Sequence, residues 1–333
     1  VISEIVRGKK EITPETAVQL AAALGTSAEF WSDLEANYRL RLAKRLGPAP
    51  EIVERQQLYL KAPLAELIRR GWLANVRSTS DLATELCRFL RIDHLGDTPL
   101  LPVVNLRVSA TAEPELTSLQ AWLKRAESLA QQETVRRPFD PAGLGDMVSE
   151  LRTNAADAER VASVPPILSK YGVRFVLVPH LPKTYLDGAH FSVGTDPAIA
   201  LTFRFDRIDH FWFTLFHEIA HLQRGDDGRL DSLWGQHEES VDPIEEQTND
   251  QAGAWLIDPE AYENFLSNSA LEPSLADITA FAREIGVHPG IVLGRLQHKG
   301  LVPWEHHRST LAPVKQYLDA WIDRPIDVTS SAA

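Results

Sequence analysis

The chain has 333 residues, 44% of them hydrophobic, enough for a sizeable core spread over two or three domains. Its single cysteine, Cys87, excludes an intramolecular disulfide and a cysteine-rich zinc site, and such scarcity fits a reducing, cytoplasmic setting. The net charge of −12 makes general nucleic-acid binding a poor expectation, and no apolar run is long enough to predict a membrane span.

Residues 1–45 read as short helices. Ile2 to Arg7 forms a helical stub that Gly8-Lys9-Lys10 closes. Thr13 is the expected N-cap of the next helix, Pro14 its first residue, and Gly25 its stop. Ser27 caps a third helix through Phe30, Trp31, Leu34 and Tyr38. Gly47-Pro48-Ala49-Pro50 reads as a linker into a helical middle region, about 51–93. Cys87 falls in an amphipathic run of that region, which predicts a buried structural thiol. A proline-rich stretch follows, with Leu101 to Leu106 extended, then helices over Leu116 to Gln132 and Pro141 to Ala155.

The pattern then changes. Val173 to Val178, Gly188 to Val193 and Ala198 to Phe203 read as strands, the last two joined by the turn Gly194-Thr195-Asp196-Pro197. Helical periodicity returns from Asp209 to Gly225 and from Pro243 to Ile257. Three more helices are expected around Leu275 to Ile285, Pro289 to His298 and Leu311 to Ile322.

His217-Glu218-Ile219-Ala220-His221 sits inside the first of those two long helices. Residues four apart share a helix face, so His217 and His221 can present two imidazoles to one metal ion. Glu218 can then reach water at the metal as general base, the arrangement of a zinc hydrolase. A catalytic zinc takes three protein ligands. The residues after His221, Leu222-Gln223-Arg224-Gly225-Asp226-Asp227, lack the downstream histidine spacing of metzincins. The next helix offers a carboxylate instead. Glu245 as ligand and Asn249 as the hydrogen-bond partner of a ligand histidine are four apart. Glu246 with Asp250 gives the same pattern shifted by one residue, while the apolar phase of Ala252, Leu256 and Ile257 favours Glu245. His190, His210 and His237 are candidates for the group facing the developing oxyanion.

The segments 209–218 and 245–259 together resemble the ImmA/IrrE family of zinc metallopeptidase-like proteins. Family members read Glu-x-Glu-Ala-Asn-x-Phe-Ala in the second segment, where this chain has Gln247, Thr248 and Gln251 in place of Glu, Ala and Phe. The stretch from Ile285 to His298 is similar to one in longer members, and there Arg295 and His298 share a helix face. The front, Ile2 to Lys10 followed by Ile12 to Ala17, resembles the recognition helix and following helix of HigA-type (XRE) repressors. The first two helices of that fold are expected ahead of Val1, so the module is truncated. The resemblance implies DNA contacts from Ser3, Arg7, Lys9 and Lys10 in the intact module, the last three to phosphates.

The expected fold is mostly α with a small sheet. It comprises an incomplete helix-turn-helix over 1–46, a helical middle region over 47–160, an α+β zincin-like domain over 161–270 and a helical extension over 271–333. The expected function is that of a Zn2+-dependent metallopeptidase-like regulator that cleaves a peptide bond in a repressor or other regulatory protein and is coupled to transcriptional control. The alternative is a repressor or antitoxin whose zinc domain senses a signal with little turnover. A homodimer is the default for a helix-turn-helix protein reading palindromic DNA.

Overall fold

The computed structural model describes residues 2–101, 104–108, 115–225, 243–269 and 272–324. It is mostly α with a small sheet, as expected, and its chain forms two compact units. One unit is Val1–Leu60 with Val76–Ala83, and the other is Lys61–Asn75 with Thr84–Ala333.

The first unit contains α1 (Ile2–Val6), α2 (Pro14–Leu24), α3 (Ala28–Leu46) and most of α4 (Pro50–Lys61). The expected caps are present. Thr13 accepts from the Thr16 amide and Ser27 from the Phe30 amide, each satisfying a backbone donor that a helix start leaves open. Gly25 closes α2 at φ +69°, a left-handed conformation that glycine adopts without steric penalty.

Next come α5 (Leu64–Arg69) and α6 (Thr79–Leu90). Cys87, on α6, is half-buried rather than buried, and burial pushes its thiol pKa up. Strand β1 (Val104–Val108) lies slightly beyond the extended piece expected from residue 101. Helix α7 (Leu116–Gln132) has the predicted limits. Beyond it are α8 (Leu144–Thr153) and α9 (Val164–Lys170).

The sheet is completed by β2 (Arg174–Leu177), β3 (Leu186–Val193) and β4 (Asp196–Leu201), in the order β1-β3-β4-β2. β2 runs parallel to β4, whereas β1 and β4 run antiparallel to β3. The β3–β4 turn is tighter than the sequence suggested. Asp196 already pairs with Val193, and Gly194 supplies the positive φ.

The motif helix is α10 (Ile208–Arg224), followed by α11 (Pro243–Leu256), α12 (Pro259–Asn268), α13 (Leu275–Glu284) and α14 (Pro289–His298). Strand alternation divides the sheet between two layers. Phe175, Leu177, Ile199 and Leu201 join the core formed with α10, while Ala189, Phe191, Ala198 and Ala200 are buried on the alternate face. There α7 lies against β2 and β3, and Trp122 donates its indole N–H to the Val178 carbonyl at 2.9 Å.

Helices α13 and α14 share one core with α10 through Ile278, Phe281, Ile291 and Leu293. At Gly294 a Cβ would stand 2.4 Å from Asp209 Oδ2, so only glycine lets α14 come this close to the start of α10. Residues 272–324 are therefore packed with the motif helix in the same unit.

One expected helix is absent. Residues 311–322 form a short 3-10 turn at Lys315–Tyr317 and no α-helix. Pro313 lacks an amide proton, and the Val314 and Lys315 amides both donate to Asp206 Oδ1 at 2.8 Å, so a helical ladder is displaced. The segment ends instead on a parallel bridge between Leu177 and Ile322.

Candidate metal centre

Ile208, Phe211, Trp212, Leu215, Phe216 and Ile219 are buried in the core and fix the rotation of α10. That rotation carries Thr214, His217, Glu218 and His221 together on a face that is also covered. His217, Glu218 and His221 are 1%, 0% and 2% exposed, a degree of burial that ionisable groups reach only when paired or bound to something.

Helix α11 supplies the third group. Thr248, Ala252 and Leu256 are buried and set its phase. The same face presents Glu245 and Asn249. Glu245 Oε2 lies 3.4 Å from His217 Nε2, and Oε1 lies 3.2 Å from His221 Nε2. The two Nε2 atoms stand 3.1 Å apart. Ligand atoms held tetrahedrally at zinc distances of about 2.0–2.1 Å are separated by about 3.3 Å along each edge. Each of the three separations is close to that spacing, although the two to Glu245 end on different carboxylate oxygens, and the donor set of two imidazoles and one carboxylate suits zinc. The group His217, His221 and Glu245 could hold a metal ion.

Asn249 lies against the first of these histidines. Its Oδ1 lies 3.1 Å from His217 Nδ1. An amide oxygen only accepts, so Nδ1 carries a proton, and in the neutral ring Nε2 is left with the lone pair that an ion would take. Burial alone would push the Glu245 carboxyl pKa up. With both imidazoles protonated, hydrogen bonding and charge from His217 and His221 overcome it and hold the group well below the usual carboxylate range. Its place in the first turn of α11 also favours the anion.

Glu246 is exposed and lies outside this group, so the register shifted by one residue is not the one the helix adopts. Gln247 is exposed as well, and Arg224 donates to its Oε1 at 3.1 Å. A glutamine there takes nothing from the triad. Thr248 points inward and returns its hydroxyl to the Ile244 carbonyl at 2.8 Å.

Two features on β3 carried little signal in the sequence. A Cβ at Gly188 would fall 2.8 Å from Glu218 Oε1 and 2.9 Å from Thr214 Cγ2, so glycine makes the space that Glu218 occupies. Two residues on, the His190 ring lies parallel to that of His221, with centroids 6.4 Å apart. His210, another oxyanion candidate, is instead held 3.5 Å from Asp187 Oδ1, near Arg204. His237 lies outside the described residues. Arg295 donates to the Gly253 carbonyl and covers the Tyr262 ring, a packing role, while His298 is exposed.

A cleft of about 590 Å3 opens away from the triad, lined by Gln223, Arg224, Gln247, Asp250 and Arg295. None of the three ligand candidates lines it, and the convergence of buried donors marks the chemistry better than cleft size. In the first unit, Ser3, Arg7, Lys9 and Lys10 are exposed, with Ser3 in α1. No helix among the described residues is long and apolar enough to cross a membrane. Comparison with protein-family models and with curated proteins returned no match for this chain.

Proposed function

We propose that this chain is a zinc-dependent metallopeptidase-like regulator of the ImmA/IrrE type. The observation that carries the reading is the group of buried His217 and His221 with half-buried Glu245, the Glu218 carboxylate being buried on the helix of the two histidines. A zinc ion held there would polarise a peptide carbonyl and lower the pKa of water toward ~7.

The chain's own groups supply the rest. Glu218 accepts a proton from the attacking water and delivers it to the departing amine nitrogen. Asn249 keeps His217 in the tautomer that leaves Nε2 free to bind. Gly188 keeps the Glu218 carboxylate from being displaced. Burial of the face strengthens each of these electrostatic interactions. The substrate class is a peptide bond in a regulatory protein. The exposed Ser3, Arg7, Lys9 and Lys10 support DNA contact by the front helices.

A proteolysis screen of candidate regulators, comparing wild type with Glu218→Gln, tests this. The expected outcome is processing by wild type that the variant loses. Equal processing by both, or by neither, would assign the domain to signal sensing rather than turnover.

A further inference from the structure

We propose that the cleft between α10 and α11 binds a polar α-amino acid, its carboxylate on Arg295 and its ammonium on Asp250. The site is separate from the metal centre, and the inference stands without that reading.

Residues three and four apart share a helix face. On α10 such a face carries Ala220, Gln223 and Arg224, and on α11 another carries Gln247, Asp250 and Ala254. The two faces wall the cleft of about 590 Å3, a volume in the range of small-molecule sites. Arg224 bridges the walls by donating to Gln247 Oε1.

Arg295 enters from α14. Its Nη1 donates to the Gly253 carbonyl at 2.8 Å, and its guanidinium carbon lies 4.4 Å from the centre of the Tyr262 ring. A Cβ at Gly253 would fall 3.3 Å from that nitrogen, so glycine leaves the guanidinium its place. One nitrogen and one face are therefore fixed while the side chain lines the cleft, which makes it a preorganised receptor for a carboxylate.

Asp250 lines the same cleft three residues before Gly253, a rise of about 4.5 Å or nearly one turn. Among the described residues neither Asp250 nor Arg295 forms an ion pair, with the other or elsewhere. Opposite charges that share a cleft one turn apart without meeting complement a ligand bearing both signs on one carbon. An α-amino acid has that head group. A simple anion would meet repulsion from Asp250, and a simple cation from Arg224 and Arg295. The amides of Gln223 and Gln247 offer donors and acceptors to a polar side chain. None of the three metal-ligand candidates lines the cleft, so its occupant is an effector rather than the substrate of the triad.

The test is calorimetric titration of the full chain with L-glutamate and L-glutamine. Saturable binding with a Kd below about 1 mM is expected for at least one of them. Glutarate, which lacks the ammonium, should bind at least about tenfold more weakly than L-glutamate, as for loss of a charge-assisted hydrogen bond. Asp250→Asn should weaken L-glutamate by a similar factor with thermal unfolding unchanged, since Asp250 is exposed. Arg295→Gln should weaken both glutarate and L-glutamate, and the Asp250 variant keeps the test valid if loss of Arg295 packing unfolds the chain. His217→Ala should bind as wild type does. No binding of either amino acid, equal affinity for glutarate, or equal affinity in Asp250→Asn overturns the inference and leaves the metal centre untouched. Loss of binding in His217→Ala would place the carboxylate at the triad and also overturns it.

Discussion

Asn249→Ala is the perturbation that most cleanly separates a built metal site from a chance meeting of polar groups. Asn249 Oδ1 accepts from His217 Nδ1 at 3.1 Å, and His217 is 1% exposed. Removing the acceptor leaves a buried N–H without its partner, at a cost of about 1–3 kcal/mol. It also frees His217 to move its proton to Nε2, the nitrogen that faces the other ligands. Loss of such a supporting hydrogen bond weakens metal affinity by about 10- to 100-fold. At about 1.4 kcal/mol per decade, the two figures agree. The assay is zinc titration against a chromophoric chelator, with unfolding of the metal-free protein followed in parallel. Asn249→Asp keeps an acceptor at the same place and should bind zinc at least as well as wild type. If Asn249→Ala binds zinc as tightly as wild type, the argument that Asn249 orients His217 is wrong.

Other outcomes follow from the same structure. Burial pushes the Glu133 carboxyl up to about 9, against the opposing effects of the Phe175 amide and Arg174. A carboxyl that is protonated when folded and ionised when unfolded makes the native state hold the extra proton, so stability falls as pH rises from about 5 to 9. The slope is at most about 1.4 kcal/mol per pH unit. Urea unfolding across that range should show the decline, and Glu133→Gln should remove it while keeping an acceptor for the Phe175 amide, which now donates to Glu133 Oε2 at 2.7 Å. Gly172→Ala should destabilise far more than Gly25→Ala. Both glycines have positive φ, but a Cβ at Gly172 would fall 2.4 Å from the Phe139 amide nitrogen, whereas at Gly25 nothing lies within 4 Å. The Gly25 variant should cost about 1 kcal/mol and the Gly172 variant several times that in thermal unfolding.

Much of the site was legible because its geometry is local. The i, i+4 spacing of His217 and His221 and the apolar period around them determine one helix face, and the same spacing in Glu245 and Asn249 determines another. The apolar phase of α11 was enough to choose Glu245 over Glu246, and it also explains why Gln247 faces away. What a strand places beside a helix is not local. Gly188 and His190 acquire their positions from the register of β3 against β4 and the seating of α10 on the sheet. Neither is encoded in a short window. The missing helix over 311–322 has the same origin. Its pattern is helical, but Asp206, over a hundred positions earlier, takes two of its amides. Cys87 sits on the predicted amphipathic helix, yet the periodicity did not reveal that its position is only half covered.

The most direct measurement is the metal content of the purified full chain and its ligand variants. Wild type should carry about one zinc per chain, as expected for a single three-ligand site. His217→Ala and Glu245→Ala should lose it, and Glu246→Ala should keep it. Full zinc retention in Glu245→Ala, or loss in Glu246→Ala with retention in Glu245→Ala, would contradict the assignment of the triad.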